Sequence, residues 1–327
     1  MSSRLGGAYG ASDDTVDYIL GITFEIWEQR QIDLIHQYYA TDCIVWGLDG
    51  ITRGVEAVVA GTTQTLDAFP DRLLIAEDVI VSKDPDGSAY SSHRLHSTAT
   101  NTADTVFGPA TNGRIRMTNI ADCVVEDGII TREWLVRDNL TLALQLGADP
   151  RRAAADMAER RTAEHRQWLN DEISRVGTAD GDVVSCAATS TESADFATNV
   201  LTGLWAGTRA TTNDHYASYC VLHRAPMTHV SGREAIAQHY QTLRSAFSHV
   251  RASVDHLATQ PHHSNQRDIA VRWSVTGEHT GSFHGIEATG KPVTLLGVSH
   301  WRTLGGRIVM EHTVFDELAL LSQLLER

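Results

Sequence analysis

Ile130–Leu146 reads ITREWLVRDNLTLALQL, and Ile308–Leu324 reads IVMEHTVFDELALLSQL. The second stretch repeats the Ile, Glu, Val, Asp, Leu and Gln of the first in register. Each starts as an alternating strand and ends in a short Leu-rich helical turn, with Asp138 or Asp316 where the strand gives out. Residues two apart on a strand share a face. Trp134, Val136 and Asp138 therefore point one way, and Glu133, Leu135 and Arg137 the other. In the second copy His312, Val314 and Asp316 fall together. A carboxylate at the end of an apolar strand face is a candidate acid or base. The alternative for each Asp is a helix N-cap, a position that favours this residue.

The copying extends outward from these strands. Trp205 follows Trp27 by 178 positions (205 − 27), and the same interval links Tyr38 with Tyr216, Gly54 with Gly232, Phe69 with Phe247, and Arg94 with Arg272. Gly-x-Glu-Ala recurs as Gly54–Ala57 and Gly232–Ala235. The interval is read as slipping by one only around Gly113 and Gly290. So many matches at one offset mean an internal duplication.

Within each copy, helices come first and strands after, an α+β order. Tyr18, Ile22, Ile26 and Trp27 have helical spacing behind Asp13 or Asp14, and Ile32, Ile35 and Tyr39 suggest a second helical piece. Cys43–Trp46 reads as a strand, Gly47–Gly50 as a turn, and Gly54 onward as a helix ending near Phe69-Pro70. Strands are expected over 73–81, 88–102, 115–126 and 129–138, with a hairpin at Asp127-Gly128. Residues 150–176 predict one connecting helix, and the Gly-, Ser- and Thr-rich stretch 177–193 a linker. The division is 12–147, 148–193 and 194–327.

The chain has 327 residues, 42% of them hydrophobic, and a formal net charge of −14 from 27 basic and 41 acidic side chains. That balance argues against a nucleic-acid partner. Cys43, Cys123, Cys186 and Cys220 form no CxxC, so neither a zinc site nor a disulfide framework is expected. No His spacing typical of a metal site occurs. No apolar run is long enough for a membrane span or a signal peptide, which points to a cytoplasmic protein without a membrane partner.

Each half resembles the SnoaL-like polyketide cyclase family of the nuclear transport factor two-like superfamily. The resemblance rests on the early Trp, the Gly-x-x-x-Ala helix, Phe69-Pro70-Asp71, and the terminal Glu-x-x-x-x-Asp strand followed by Leu-x-x-Gln-Leu. In the second half it also rests on Trp273–Gly281 and Ala288–Pro292. It implies two tandem cone-shaped domains, each a curved antiparallel sheet packed on N-terminal helices around an apolar pocket. It further implies pairing through the sheets, here as an intrachain pseudo-dimer that could still form a homodimer.

In such cyclases an Asp near the end of the terminal strand serves as acid/base without metal or cofactor. The resemblance carries that role to Asp138 and Asp316, and a pocket histidine to His279, whose counterpart in the first half is Asn101. His93, Arg94 and His96 lie on the corresponding strand of that half. Arg94 and Arg272 are candidates to bind a carboxylate or enolate oxygen, or else to make outward salt bridges. His300 and His312 are candidate pocket residues, with hydrogen-bonded structural histidines as the alternative. Trp134 and Trp273, like Trp46 and Trp301, suit either a pocket wall or a core. Glu133 and Glu311 are assigned to structural pairing. The reading is a cofactor-independent cyclase, isomerase or lyase acting on a small carbonyl substrate. The competing readings are a non-catalytic small-molecule binder and a protein-interaction module.

Overall fold

The computed structural model describes residues 13–178, 190–207 and 209–326. The first half opens with α1 (Asp13–Thr23), a π-helical turn (Phe24–Glu28), a 3-10 turn (Ile32–Leu34) and α2 (Ile35–Tyr38). It continues with β1 (Tyr39–Gly47), β2 (Gly50–Arg53), α3 (Val55–Ala68), β3 (Leu73–Lys83), β4 (Ala89–Thr100), β5 (Arg114–Glu126), β6 (Ile129–Arg137) and α4 (Asn139–Gln145). After α5 (Pro150–Arg160) and α6 (Ala163–Thr178) the plan restarts. Its elements are α7 (Thr191–Ala206), α8 (Arg209–His215), β7 (Tyr216–Arg224), β8 (Thr228–Ser231), α9 (Arg233–Arg244), β9 (Phe247–Pro261), β10 (Gln266–His279), β11 (Pro292–Leu304), β12 (Arg307–Phe315) and α10 (Glu317–Leu325).

Each half is one six-stranded sheet with its helices, ordered β2-β1-β6-β5-β4-β3 and β8-β7-β12-β11-β10-β9. The sheets are mixed, where sequence led us to expect antiparallel ones. β3 to β6 form an antiparallel meander. β1, arriving from the helical layer, lies parallel to β6 with Val45 beside Glu133, and β7 does the same beside β12 with Leu222 against Glu311. The β5–β6 turn has Asp127 and Gly128 at φ 50° and 79°, the left-handed pair that a tight hairpin requires.

Most of the residues shared by the two copies hold the fold. Gly54 and Gly232, at φ 80° and 86°, donate their N–H groups to Cys43 and Cys220 at 2.8 Å, a backbone shape open to glycine. The Gln145 amide grips the backbone of Arg116 by both its ends at 2.7 Å. Gln323 does the same to Thr294, pinning α10 to β11. Asp138 accepts the Thr141 N–H and Asp316 the Ala319 N–H, each at 3.0 Å. These are N-caps, each supplying a partner to a helix-end donor that would otherwise be unsatisfied.

Two further expectations need correction. Tyr38 is not the counterpart of Tyr216: register places Tyr39 beside Ile130 and Tyr216 beside Ile308, so the interval shortens to 177 along β1. A β7–β8 turn one residue longer than the β1–β2 turn restores it. The expected connecting helix is two helices. Arg161 is extended, its side chain reaching Ser322 at 2.5 Å and pairing with Glu326, and the Thr162 hydroxyl then accepts the His165 N–H to start α6. Of the expected linker, residues 179–189 lie outside the described residues.

The sheets pack against each other by the faces turned away from their helices. Ser92 Oγ lies 2.8 Å from His300 Nε2, Arg94 Nη1 3.4 Å from His300 Nδ1, and the Gln260 amide donates to the Val79 carbonyl at 3.2 Å. Arg272 lies 3.5 Å over the Trp134 ring, and Tyr90 stacks on His256. β4 is thus buried on both faces. One apolar core runs from Ile120, Val136, Leu140 and Met157 into α10 and the second cone.

Candidate active site

The first cone is hollow. Its inner cavity, of about 200 Å³, lies between α1, α3 and the sheet, with Ile22, Ile26, Leu74, Leu95 and Leu135 among its apolar walls. A second cavity of about 360 Å³, walled in part by α5, shares Thr65, Arg72 and Arg137 with it. Besides threonines, the polar side chains lining the inner cavity include Glu133, Tyr39, His93, Asn119, Arg72 and Arg137. They come from β6, β1, β4, β5 and the residue just before β3, so the sheet fixes their spacing.

Glu133 is the buried carboxylate of this interior, 6% exposed, and among the described residues it accepts one hydrogen bond, from the Tyr39 hydroxyl at 2.8 Å. Burial raises its pKa above the usual carboxylate range; the Tyr39 bond and the charge of Arg137 oppose the shift. Burial also drives His93 down to about 4, so its imidazole is neutral at pH 7. Among the described residues the buried His93 Nε2 and Asn119 Oδ1 have no hydrogen-bond partner. Unmet buried polar atoms are rare and call for an explanation. Here both belong to cavity-lining residues.

In the second cone the corresponding space is filled. Thr62, Leu95 and Arg137 give way to Tyr240, Trp273 and Phe315, which share one core with Trp205 and Phe247. The Trp273 ring lies so close to Gly297 that a Cβ there would sit 2.2 Å from it. Glu311, counterpart of Glu133, is tied to Tyr216 at 2.6 Å, Tyr240 at 2.9 Å and Thr313 at 2.6 Å. Trp273 Nε1 donates to Ser299, whose hydroxyl meets Thr313 at 2.7 Å. Carboxylate and hydroxyls are satisfied among themselves.

The residues singled out in the sequence are dispersed by this geometry. Asp138 and Asp316, both 2% exposed, cap α4 and α10 at the seam between the halves and line neither cavity. Asn139 donates to Asp316 at 2.5 Å. Burial raises both pKa values, that of Asp316 well above the usual range with the Asp49 charge adding to it, while the cap bonds oppose the shift. His279 holds the Thr289 hydroxyl at 3.0 Å and accepts its N–H at 3.2 Å. Asn101 likewise accepts the Thr111 N–H, at 2.8 Å, so both close the same loop.

Arg94, Arg272, Trp134, His300 and His312 lie on the sheet faces that meet. Arg94 pairs with Glu77 at 3.0 Å, and His312 stacks on His223 at 4.3 Å. Burial, followed by the charge of Arg94, presses His312 down to about 2. His96, half-buried, follows Arg94 on that face. Trp273 is core filling. Of the substrate-binding candidates, His93 alone lines the inner cavity. Glu133, Tyr39, Asn119, Arg72 and Arg137, which also line it, were not among those candidates. Strand alternation had already placed Glu133, Leu135 and Arg137 on one face, and that is the face turned to the cavity.

Among the described residues no group of His, Cys, Asp and Glu is arranged to hold a metal ion, and no helix is long and apolar enough to cross a membrane. The family model for SnoaL-like polyketide cyclases matches the chain twice, over residues 19–146 and 197–324. The chain belongs to the SnoaL-like polyketide cyclase family. No curated protein matches it. Among solved structures, IdmH, a putative polyketide cyclase from Streptomyces antibioticus, is 23% identical over 41% of this chain and 98% of its own, with a TM-score of 0.35. A putative SnoaL-like polyketide cyclase from Jannaschia sp. CCS1 is 15% identical over 44% of this chain and 100% of its own, at 0.39. AclR, a putative hydroxylase from Streptomyces galilaeus, is 19% identical over 42% and 98%, at 0.38. This SnoaL-like chain carries two copies of the family's unit, one hollow and one filled.

Proposed function

We propose that the first cone is the working pocket of a cofactor-independent acid/base enzyme, of cyclase, isomerase or lyase type, and that the second cone is its structural support. The observation that carries this reading is the contrast in the shared glutamate. Glu133 sits in a cavity with one hydrogen bond, whereas Glu311 is saturated inside a packed core.

In this reading Glu133 removes a proton from carbon beside a substrate carbonyl. Its raised pKa makes it a stronger base than an exposed carboxylate. Neutral His93 stabilises the developing enolate oxygen by hydrogen bonding, and Tyr39 orients Glu133. The proton returns from Glu133 to carbon or to the leaving oxygen. Asp138 and Asp316 hold the helices. The intrachain packing of the two sheets takes the place of pairing between separate copies, and the ligand is a small molecule with an apolar body.

The test is α-proton exchange of aryl 3-oxo esters in deuterium oxide, followed by NMR. The wild-type protein should accelerate exchange, Glu133→Gln should lose about 10²- to 10⁴-fold, and Glu311→Gln should retain it. Exchange that survives Glu133→Gln but disappears in Glu311→Gln or Asp138→Asn would move the chemistry elsewhere.

A further inference from the structure

Arg72 is the unusual side chain of the hollow cone. Its Nε donates to Ser97 Oγ at 2.9 Å, and its guanidinium lies 4.7 Å over the Trp27 ring. Among the described residues no ion pair includes Arg72, although it lies in the wall shared by the two cavities, where its remaining surface opens. Arg137, across the same junction, keeps Asp49 at 3.1 Å. Burial first, then the charges of Arg137 and Arg30, push the Arg72 pKa down. A guanidinium nonetheless keeps its proton at neutral pH. By its exposed surface Arg72 is half-buried, and a cation in such a wall is stabilised when a counter-charge is brought to it.

The duplication supplies an internal control. Arg72 and Arg137 correspond to Val250 and Phe315, and His93 and Asn119 to Val271 and Gly297. The fold is built in the second half without any of these polar groups, so none is required to form a cone. They occur together only where there is a cavity.

We propose that the junction between the two cavities is an anion subsite, in which Arg72, assisted by Arg137, holds the carboxylate of a substrate whose apolar body extends toward Glu133. A guanidinium fork matches a carboxylate geometrically, and charge-assisted hydrogen bonds of this kind are among the stronger ones. The substrate class is thus a carbonyl compound bearing an acid group. This assignment rests on the first cone being the reaction pocket, but binding can be measured apart from turnover.

The probe pair is 2-naphthoate and its neutral isostere 2-naphthamide, titrated calorimetrically into the full chain. The wild-type protein should bind the acid at least about tenfold more tightly than the amide, the ratio one charge-assisted contact supplies. Arg72→Met should erase that ratio while amide binding persists, Arg72→Lys should restore part of it, and Glu133→Gln should keep or raise it. Because the readout is a ratio within one variant, a variant that fails to fold loses both ligands and cannot mimic the result. Equal binding of acid and amide by the wild type, binding of neither, or an unchanged ratio in Arg72→Met overturns the assignment. A preserved ratio without proton exchange would leave the subsite standing and remove the acid/base reading.

Discussion

The two cones share a backbone plan and a buried glutamate, and they differ in what surrounds it. In the first, Thr62, Leu95, Asn119 and Arg137 leave a cavity; in the second, Tyr240, Trp273, Gly297 and Phe315 close it. The lesson concerns burial without space. Glu311 is 1% exposed and Glu133 6%, so burial alone would rank Glu311 first. What separates them is the number of partners and the presence of room for a ligand.

The comparison can be broken most severely by emptying the filled cone. Trp273→Ala removes a fully buried ring and should cost about 3–5 kcal/mol, seen as a large fall in chemical-denaturation midpoint, while proton exchange in the first cone survives. Loss of exchange at temperatures where the variant is still folded would mean that the second cone takes part in the chemistry. Glu311→Ala should cost about 2–4 kcal/mol, because the Tyr216 and Tyr240 hydroxyls lose their acceptor together and the Thr313 hydroxyl keeps only Ser299. Glu133→Ala should cost less, having one donor to strand.

The caps sharpen the contrast at lower energy. Asp138→Ala and Asp316→Ala should each lose about 1 kcal/mol, since an N-cap is removed. Asp316→Asn should be neutral or stabilising, because Asn also caps and the buried carboxylate is gone. The sign follows from the raised pKa: the folded protein holds the Asp316 proton more tightly, so stability falls as pH rises above the unfolded value of about 3.9. Asn removes that loss. A large destabilisation in Asp316→Asn would show that its ionised form is needed.

The smallest expected effect is in the pH profile. Exchange should rise with pH through the raised pKa of Glu133 and show no acid limb from His93 above about 4, since its imidazole is already neutral there. An NMR titration placing His93 near 6.5 would contradict this environment.

Much of the architecture was legible because the copies repeat the residues that build it. Gly54 and Gly232, the Asp caps and the Gln145 and Gln323 clamps each serve a backbone demand, and such demands recur at fixed spacing. The site was legible only in part. The same recurrence drew attention to Asp138 and Asp316, each of which caps a helix in its half. Of the cavity residues, Arg72, Asn119 and Arg137 escaped because they differ between copies and have no polar counterparts, whereas Glu133, which recurs as Glu311, was assigned to structural pairing. Burial on both sides hid the rest. β4 carries His93 toward the cavity and Arg94 toward the other sheet, and when both faces are covered, polarity no longer tells inside from outside. The parallel docking of β1 on β6 also depends on contacts far apart in sequence.

The central claim is that the hollow cone works and the filled cone supports it. It is tested most directly by giving the first cone the side chains of the second, in the triple variant Thr62→Tyr, Leu95→Trp and Asn119→Gly, the last making the room that Gly297 gives the Trp273 ring, and measuring α-proton exchange beside the thermal midpoint. The account predicts a folded protein, at least as stable as the variant with Leu95→Trp alone, in which exchange is abolished. Exchange that continues at the wild-type rate in the filled variant would contradict it.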